Sequence, residues 1–242
     1  MNDKKYLQTP AIILGISFIL CVIILGSFLY KIQSLNNTLT VTGSARQKVI
    51  SDTGKLVGRF TRTVTINDLK NGYKLMDSDK TKVINFFKSQ GVGEEVIIVS
   101  AVSQNEIWKQ NEYDDRPKQY NLVQTIEINS NDVNQLDKLS KNLQPIINQD
   151  VLFTIDRVEY YYSKLPEYRI SMLSDAIKDA KARAEKIAAS SGKRVGVIKS
   201  ASAGVVQVLS LNSIDISDYG TYDTSSINKE IMVTVKALFT IR

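Results

Sequence analysis

From residue 38 onward, strand-like and helix-like patterns of apolar residues alternate along the chain. Strand patterns occupy residues 39–45, 55–66, 95–103, 119–129, 154–163, 195–198, 205–211 and 231–241, and helical spacing fills the intervals that begin at 68, 131 and 167. The order of these elements combines three helices with mostly antiparallel strands. It therefore predicts an α+β fold.

Two details of the strand patterns concern the sheet. Turn residues at 51–54 separate the first two strands, which predicts that these strands pair as a β-hairpin. The run 96–99 is apolar on both faces, which favours a central strand. The polar stretches at 105–118 and 213–228 are expected to be loops, the first of them a long hairpin connection.

The third helix, predicted at 167–191, carries alanine at every fourth position over most of its length. Methyl side chains on one stripe allow another backbone to approach closely, so we expect this helix to pack tightly. The residues of this expected contact are Ala176, Ala180, Ala184 and Ala188, with Gly192 closing the helix. The second helix is expected to end near Pro145.

Ahead of these patterns, residues 11–30 form an apolar run with no charged side chain. A helix of that length spans about 30 Å, the hydrocarbon thickness of a bilayer. We therefore expect a cytoplasmic tail at 1–10, a transmembrane anchor at 11–30, a linker at 31–37 and an ectodomain at 38–242. Representative anchor residues are Ala11, Ile12, Leu14, Phe18, Leu20, Cys21, Ile24, Leu25, Phe28 and Tyr30.

Two other interpretations of the apolar run fit less well. A cleaved signal peptide has an apolar core of about 7–15 residues followed by small residues, whereas this run is longer and ends in the large residues at 28–30. A buried core helix is usually amphipathic, and this one is apolar on all sides. Lys4 and Lys5 precede the run and Lys31 follows it, which predicts a cytoplasmic N-terminus.

Composition narrows the range of partners. Hydrophobic residues make up 43% of the chain, enough for a core, and 31 basic against 25 acidic residues give a net charge of +6. The basic residues form no long run and no aromatic-plus-basic motif, so we expect no nucleic-acid partner. A solvated surface explains the excess charge most simply, and attraction to anionic lipid head groups is the alternative.

The usual catalytic and metal-binding residue types are scarce. The chain has no histidine, and its one cysteine, Cys21, lies in the apolar run, so histidine triads, thiol nucleophiles and zinc-thiolate sites are not expected. Adjacent acidic residues at 94–95 and 114–115 point to opposite faces of an extended chain. Aspartates near Gly220 lack the spacing of a calcium loop, and a solvated loop is the preferred interpretation. We predict no catalytic, cofactor-binding or metal-binding residue and no small-molecule substrate.

Aromatic residues in the two polar loops are the remaining candidates for contacts with a partner. Trp108 and Tyr113 lie in the first loop, and Tyr219 and Tyr222 lie in the second. Long loops often carry function, and exposed aromatic side chains often mark a contact surface.

Three further stretches occur in an informative order. They are the strand 39–43 with Asp52 after it, the segment 86–97, and the alanine-rich helix 176–192 followed by Gly196 at the start of a strand. Together they resemble the SIMPL-domain family of bacterial extracytoplasmic proteins, over about residues 38–242. The resemblance implies a periplasmic or membrane-anchored protein associated with oxidative stress, and some members of the family assemble into large closed homo-oligomers. It supplies no catalytic residues.

Two functions of different classes are consistent with these observations. The first is a non-enzymatic scaffold, held by one helix in the bacterial inner membrane, whose partners are the bilayer and further copies of itself. The second is an envelope sensor or holdase that contacts lipid, peptide or damaged protein through its two long loops. An enzyme is the least supported class, because the usual catalytic residue types are missing.

Overall fold

The structure is a computed structural model that describes residues 3–35, 37–108 and 116–242; within the first helix it describes side chains only at 13–29 and 31. The fold is α+β, as predicted. The helices are α1 (Asp3–Leu35), α2 (Leu69–Ser89), α3 (Val133–Lys141), α4 (Gln144–Ile147) and α5 (Leu165–Ser190). The strands are β1 (Thr38–Ile50), β2 (Thr53–Thr65), β3 (Ile97–Val99), β4 (Ser103–Ile107), β5 (Gln119–Ser130), β6 (Phe153–Tyr161), β7 (Val195–Ser210) and β8 (Asn228–Ile241).

The chain divides into two compact units and passes between them four times. Unit 1 consists of Met1–Arg46, Arg169–Val206 and Met232–Arg242. Unit 2 consists of Gln47–Tyr168 and Gln207–Ile231. Four long elements, β1, α5, β7 and β8, begin in one unit and end in the other.

Unit 2 is built on an antiparallel sheet with the order β3-β5-β2-β6, in which β4 also pairs with β5. Strand β2 pairs with β5 along its whole length, from Gly54 opposite Ser130 to Thr65 opposite Gln119. On its other side β2 pairs with β6. Strand β2 therefore has a long partner strand on each side and lies in the interior of this sheet.

Large apolar side chains form the core of unit 2, where α2 and α3 pack on the sheet. The ring of Phe87 lies edge-on to those of Phe86 and Phe153, with centroids 5.0 and 5.8 Å apart, a favourable arrangement for aromatic pairs. Asp79 is buried at the edge of this core and accepts hydrogen bonds from the guanidinium group of Arg62. The fully buried core residues include Leu56, Phe60, Met76, Val83, Leu122, Ile126, Ile128, Leu136 and Ile146.

Unit 1 contains the helix α1 and a three-stranded sheet with the order β1-β8-β7, against which α5 packs. Strand β8 is therefore the middle strand. The buried cluster of this unit consists of Val41, Ala180, Ala184, Ala237 and Phe239, with Leu39 and Val195 packed against it.

The strand pairing differs from the sequence-based prediction in two places. The hairpin between the first two strands is wrong, because β1 lies in the sheet with β8 and β7 whereas β2 pairs with β5 and β6. The run 96–99 is not a central strand either: β3 covers only Ile97–Val99, lies at the end of its sheet order and leaves Ile98 exposed. Its apolar side chains reach the core from an edge.

Several element boundaries also differ from the prediction. The strands expected at 195–198 and 205–211 are one long strand, β7. Part of the expected loop at 105–118 is the end of β4, which pairs with β5. The second helix ends at Lys141, and Pro145 lies in the first turn of a separate short helix, α4, where its missing N–H removes no helical hydrogen bond.

Candidate functional site

The first candidate surface is helix α1, whose apolar side chains are exposed on all sides. Every large apolar residue from Ile13 to Leu29 is more than half exposed, including Leu14, Phe18 and Phe28. Across the part of the chain with described side chains, no helix is long and apolar enough to cross a membrane. The side chains of the predicted anchor residues Ala11, Ile12 and Tyr30 lie outside the described set.

The alanine stripe of α5 is a close contact between helix and strand within unit 1. Ala176, Ala180, Ala184 and Ala188 are all buried. A Cβ atom on Gly43 of β1 would overlap the backbone of Ala176 and Ala180, so these two backbones are about as near to each other as they can be. Gly192 ends the helix with φ +70°, a conformation that glycine adopts without strain.

The outer edge of β1 is covered by a polar contact from α5. The backbone N–H of Ser44 donates to the carboxylate of Asp179 over 2.8 Å, and Arg183 pairs with the same carboxylate at 2.8 Å. The hydrogen bond from Ser44 and then that from Arg183 lower the pKa of Asp179 below its usual value. An N–H held in this way is not available to an added strand.

Strand β7, at the other end of the same sheet order, is uncovered over part of its length and buried at residues 207–209. All residues from 197 to 205 are exposed, on both faces of the strand. They include Val197, which is 67% exposed, as well as Ile198 and Val205. Sequence patterns identified only the two ends of this strand, because its middle consists of small residues.

The loop at 211–227 in unit 2 presents three apolar side chains, which we call the apolar tip: Ile214, Ile216 and Tyr219. Ile214 is 89% exposed and Tyr219 is 96% exposed. Tyr222, which was grouped with Tyr219 on sequence grounds, instead packs within the unit. Its hydroxyl accepts a hydrogen bond from the N–H of Tyr162 at 3.0 Å.

Buried polar contacts hold the base of this loop. Lys229 is fully buried, and its ammonium group donates to the backbone carbonyl of Asp223 and lies 3.7 Å from the carboxylate. Burial lowers the pKa of Lys229 despite the nearby negative charge of Asp223. Burial alone would raise the pKa of Asp223, but hydrogen bonds from Ser226 and Ser225 outweigh it and lower that pKa to about 2. The base of the loop that carries the apolar tip is therefore held by hydrogen bonds and an ion pair.

A polar cleft of about 500 Å³ opens on unit 2 between Gly91–Gly93, β2 and the start of α3. Two of its polar side chains already have partners within the protein. Lys55 pairs with Glu127 at 2.8 Å, and the amide of Gln135 donates to the carbonyl of Gln90 at 2.9 Å. The cleft could admit a small polar molecule, but none of these groups points to a particular ligand.

The first loop carries the predicted contact residues Trp108 and Tyr113. Trp108 is 84% exposed at the end of the described part of this loop, and Tyr113 lies outside the described residues.

Within 3–35, 37–108 and 116–242, no three acidic or cysteine side chains come together as metal ligands would.

The geometry of unit 1 brings two of the recognised sequence stretches into contact, because Gly43 of the first lies against the alanine-rich helix of the third. The sequence model of the SIMPL family, described as a protein of unknown function (DUF541), matches residues 39–235. The chain belongs to the SIMPL family. No curated protein matches it.

The SIMPL match begins in β1 and ends in β8, so it includes strands and helices of both units and leaves out α1. Asp52, one of the residues that carried the resemblance, has a local structural role. Its carboxylate accepts hydrogen bonds from the N–H and the hydroxyl of Ser163, at 2.8 and 2.7 Å. These bonds connect the turn before β2 to the segment that follows β6.

Sequence reasoning missed three features of this SIMPL domain. Ile214 and Ile216 alternate with polar residues in a loop, which is too short a signal to separate an exposed tip from a buried anchor. Asp179 and Lys229 look like ordinary surface charges in the sequence. Alternation does place Lys229 on the same strand face as Ile231 and Val233, and that spacing could have identified it as buried.

Proposed function

We propose that this SIMPL protein is a non-enzymatic, membrane-anchored component of the bacterial cell envelope that assembles with copies of itself into a large closed particle. The observation that carries the proposal is the exposed surface of α1, where twelve large apolar side chains between Ile13 and Leu29 are each more than half exposed. Soluble monomers rarely expose a continuous apolar surface of this size, which marks a contact with lipid or protein.

The sequence of α1 favours a bilayer as the cover for this surface. The apolar run at 11–30 is long enough for the hydrocarbon layer of about 30 Å. The hydroxyls of Ser17 and Ser27 donate to the carbonyls of Leu14 and Ile23, at 3.0 and 2.7 Å. A polar side chain in lipid needs such an internal partner, because no water is available there.

Charge suggests an orientation for the proposed anchor. Lys4 and Lys5 precede the run and only Lys31 follows it closely. Positive residues stay on the cytoplasmic side, so the SIMPL domain would lie outside the inner membrane, in the periplasm. The absence of histidine from the chain and the position of its one cysteine, Cys21, in the run favour a scaffold over a catalyst.

The anchor can be tested by replacing Leu20 and Ile24 with aspartate in the full-length protein. An aspartate at the centre of a membrane helix opposes insertion by about 2.5–3.5 kcal/mol, so we expect the variant to leave the membrane pellet after an alkaline carbonate wash. The matched control, Leu20→Ile with Ile24→Leu, should stay in the pellet. Recovery of the unaltered protein in the soluble fraction would contradict the proposed anchor.

Self-assembly can be tested on full-length protein extracted from membranes with a mild detergent. We expect a discrete large particle by light scattering and closed symmetric images by electron microscopy, because closed symmetry leaves no free interface. A monodisperse monomer at micromolar concentration would refute this part of the proposal.

A second candidate function is a binding module that acts through the apolar tip. The observation in its favour is that Ile214 and Tyr219 are almost fully exposed on a loop whose base is buried and hydrogen-bonded. Asp215 and Asp218 lie between the residues of the tip, and their charge disfavours anionic lipid. An unfolded protein segment is therefore the favoured ligand.

This alternative predicts that the protein suppresses aggregation of a chemically unfolded test protein. Replacing Ile214, Ile216 and Tyr219 with serine should weaken the suppression at least fivefold. The control Asp218→Asn, in the same loop, should change it little. Equal suppression by both variants would exclude the tip as the binding surface.

A further inference from the structure

The two outer strands of the sheet in unit 1 differ in what contacts their outer edges. Strand β1 is covered by α5, whose Asp179 binds the N–H of Ser44. Within the described ranges of the chain, strand β7 has a strand neighbour on one side only along residues 197–205, which are exposed, whereas Val208 forms a parallel bridge with Tyr222. The sheet thus has one closed edge and one open edge.

The open edge of β7 carries few of the features that usually keep edge strands apart. Residues 195–206 contain no proline, and Lys199 is their only charged residue. Natural proteins block exposed edges with prolines, charges, bulges or short strands, because an uncovered edge is a template for pairing with another chain. A strand of this length and composition is therefore suited to pairing.

The sequence of β7 has an approximate mirror symmetry around Ala201. In an antiparallel pair centred there, Val197 of each copy lies opposite Val205 of the other, and Ser200 lies opposite Ser202. Apolar pairs and serine pairs opposite each other stabilise antiparallel strands.

The same register keeps like charges apart. Lys199 lies opposite Ala203 of the other copy, so the two lysines are four residues apart along the strands. At about 3.3 Å per residue this separation is roughly 13 Å, beyond the screening length of about 8 Å at physiological salt.

We infer that two copies of the chain join through β7, paired antiparallel with β7 of the other copy across a twofold axis at Ala201, so that two sheets become one continuous sheet. This inference rests on the self-assembly proposed above and names one of its contacts. A second copy is favoured over an unrelated strand, because a twofold contact requires a segment that is complementary to itself, and β7 has that property.

Cysteine cross-linking tests the pairing and its register in the full-length protein. In a Cys21→Ser background, Ala201→Cys places two thiols directly opposite each other, with Cα atoms about 4.5–5.5 Å apart, within disulfide range. We expect most of the protein to form a reducible dimer on mild oxidation. Ala203→Cys on the same strand is the matched control, because its two copies would be roughly 13 Å apart and should cross-link less than a tenth as well.

Charge substitutions test the same pairing without oxidation. Val197→Lys combined with Val205→Lys places lysines opposite each other twice, and we expect Ala201→Cys cross-linking to fall about tenfold. Val197→Glu combined with Val205→Lys places opposite charges in the same positions and should restore it. Both residues are exposed, so the thermal unfolding of the variants should stay close to that of the parent protein.

The outcomes separate this inference from the proposed function. A large particle without Ala201→Cys cross-linking, or with equal cross-linking at Ala203→Cys, overturns the β7 contact and leaves self-assembly standing. A monomer overturns both. Selective cross-linking at Ala201→Cys, with loss and recovery in the charge variants, supports the contact.

Discussion

The two units stabilise their sheets with different kinds of side chain. In unit 2 the buried residues are large, with Phe60, Phe87 and Met76 completely enclosed. In unit 1 the helix α5 contacts the sheet through alanines, and Gly43 lies directly against its backbone. A core of large side chains is weakened most by removing atoms, whereas a contact between backbones is weakened most by adding them.

The largest expected effect is in unit 2, from Phe87→Ala. Phe87 is fully buried and packs edge-on against Phe86 and Phe153, so its removal leaves a cavity and should lower the free energy of unfolding by about 3–5 kcal/mol. Denaturant unfolding of the full-length protein, followed by circular dichroism, measures this change. Ile98→Ala, an exposed truncation in the same unit, is the control and should change stability by less than about 0.5 kcal/mol.

In unit 1, adding atoms to a buried side chain should lower stability more than removing them. Ala180→Leu adds three carbon atoms where α5 meets Gly43, and we expect a loss of about 1–3 kcal/mol in the same unfolding measurement. Ala182→Leu, on the exposed side of the same helix, should be tolerated. If Ala180→Leu were neutral, the close approach of the two backbones would not be limiting and the comparison between the units would fail.

A pH-dependent contribution is expected from Asp223 in unit 2. Its folded-state pKa of about 2 is below the unfolded value near 4, so its stabilisation is present above about pH 4 and is lost as the pH falls toward 2. The lowered pKa corresponds to about 2 kcal/mol at neutral pH. The difference in unfolding free energy between the parent and Asp223→Asn should therefore shrink between pH 5 and pH 2.5. A difference that stays constant would show that the pKa of Asp223 is the same in the folded and the unfolded protein.

The smallest expected effect concerns the covered edge of β1. Asp179→Ala removes the acceptor for the N–H of Ser44 and should lower stability by about 1 kcal/mol, the usual contribution of a side chain that caps a backbone N–H. It should leave assembly unchanged if β7 is the edge that pairs. A variant with more cross-linking at an introduced Thr42→Cys than the parent would show that β1 also becomes available once it is uncovered.

The local elements of this fold could be predicted from the sequence, but their pairing could not. The helices α2 and α5 follow from apolar spacing and from glycines that end them, which are signals within one stretch of chain. The partner of β1 is β8, at the far end of the sequence, and no local pattern identifies a partner so distant. A short turn at 51–54 therefore suggested the wrong neighbour.

The candidate contact residues show the same limit of prediction from local sequence patterns. The sequence places Tyr219 and Tyr222 in one loop, yet Tyr219 is 96% exposed, whereas Tyr222 is 38% exposed and packs beside Tyr161, with ring centroids 6.0 Å apart. Whether an aromatic side chain faces solvent depends on contacts from distant elements, here the N–H of Tyr162 and the buried Lys229. Such contacts leave no periodic trace in the loop itself.

The position of β8 also determines when the protein can complete its fold during synthesis. It is the middle strand of the sheet β1-β8-β7, and its residues are synthesised after those of both neighbouring strands. Until they emerge, β1 and β7 have no strand between them, and the early helix α1 precedes a unit that is still open. A nascent chain would therefore carry an unfinished sheet until β8 emerges, and during that interval chaperones are most needed to prevent β7 from pairing prematurely with a neighbouring polypeptide.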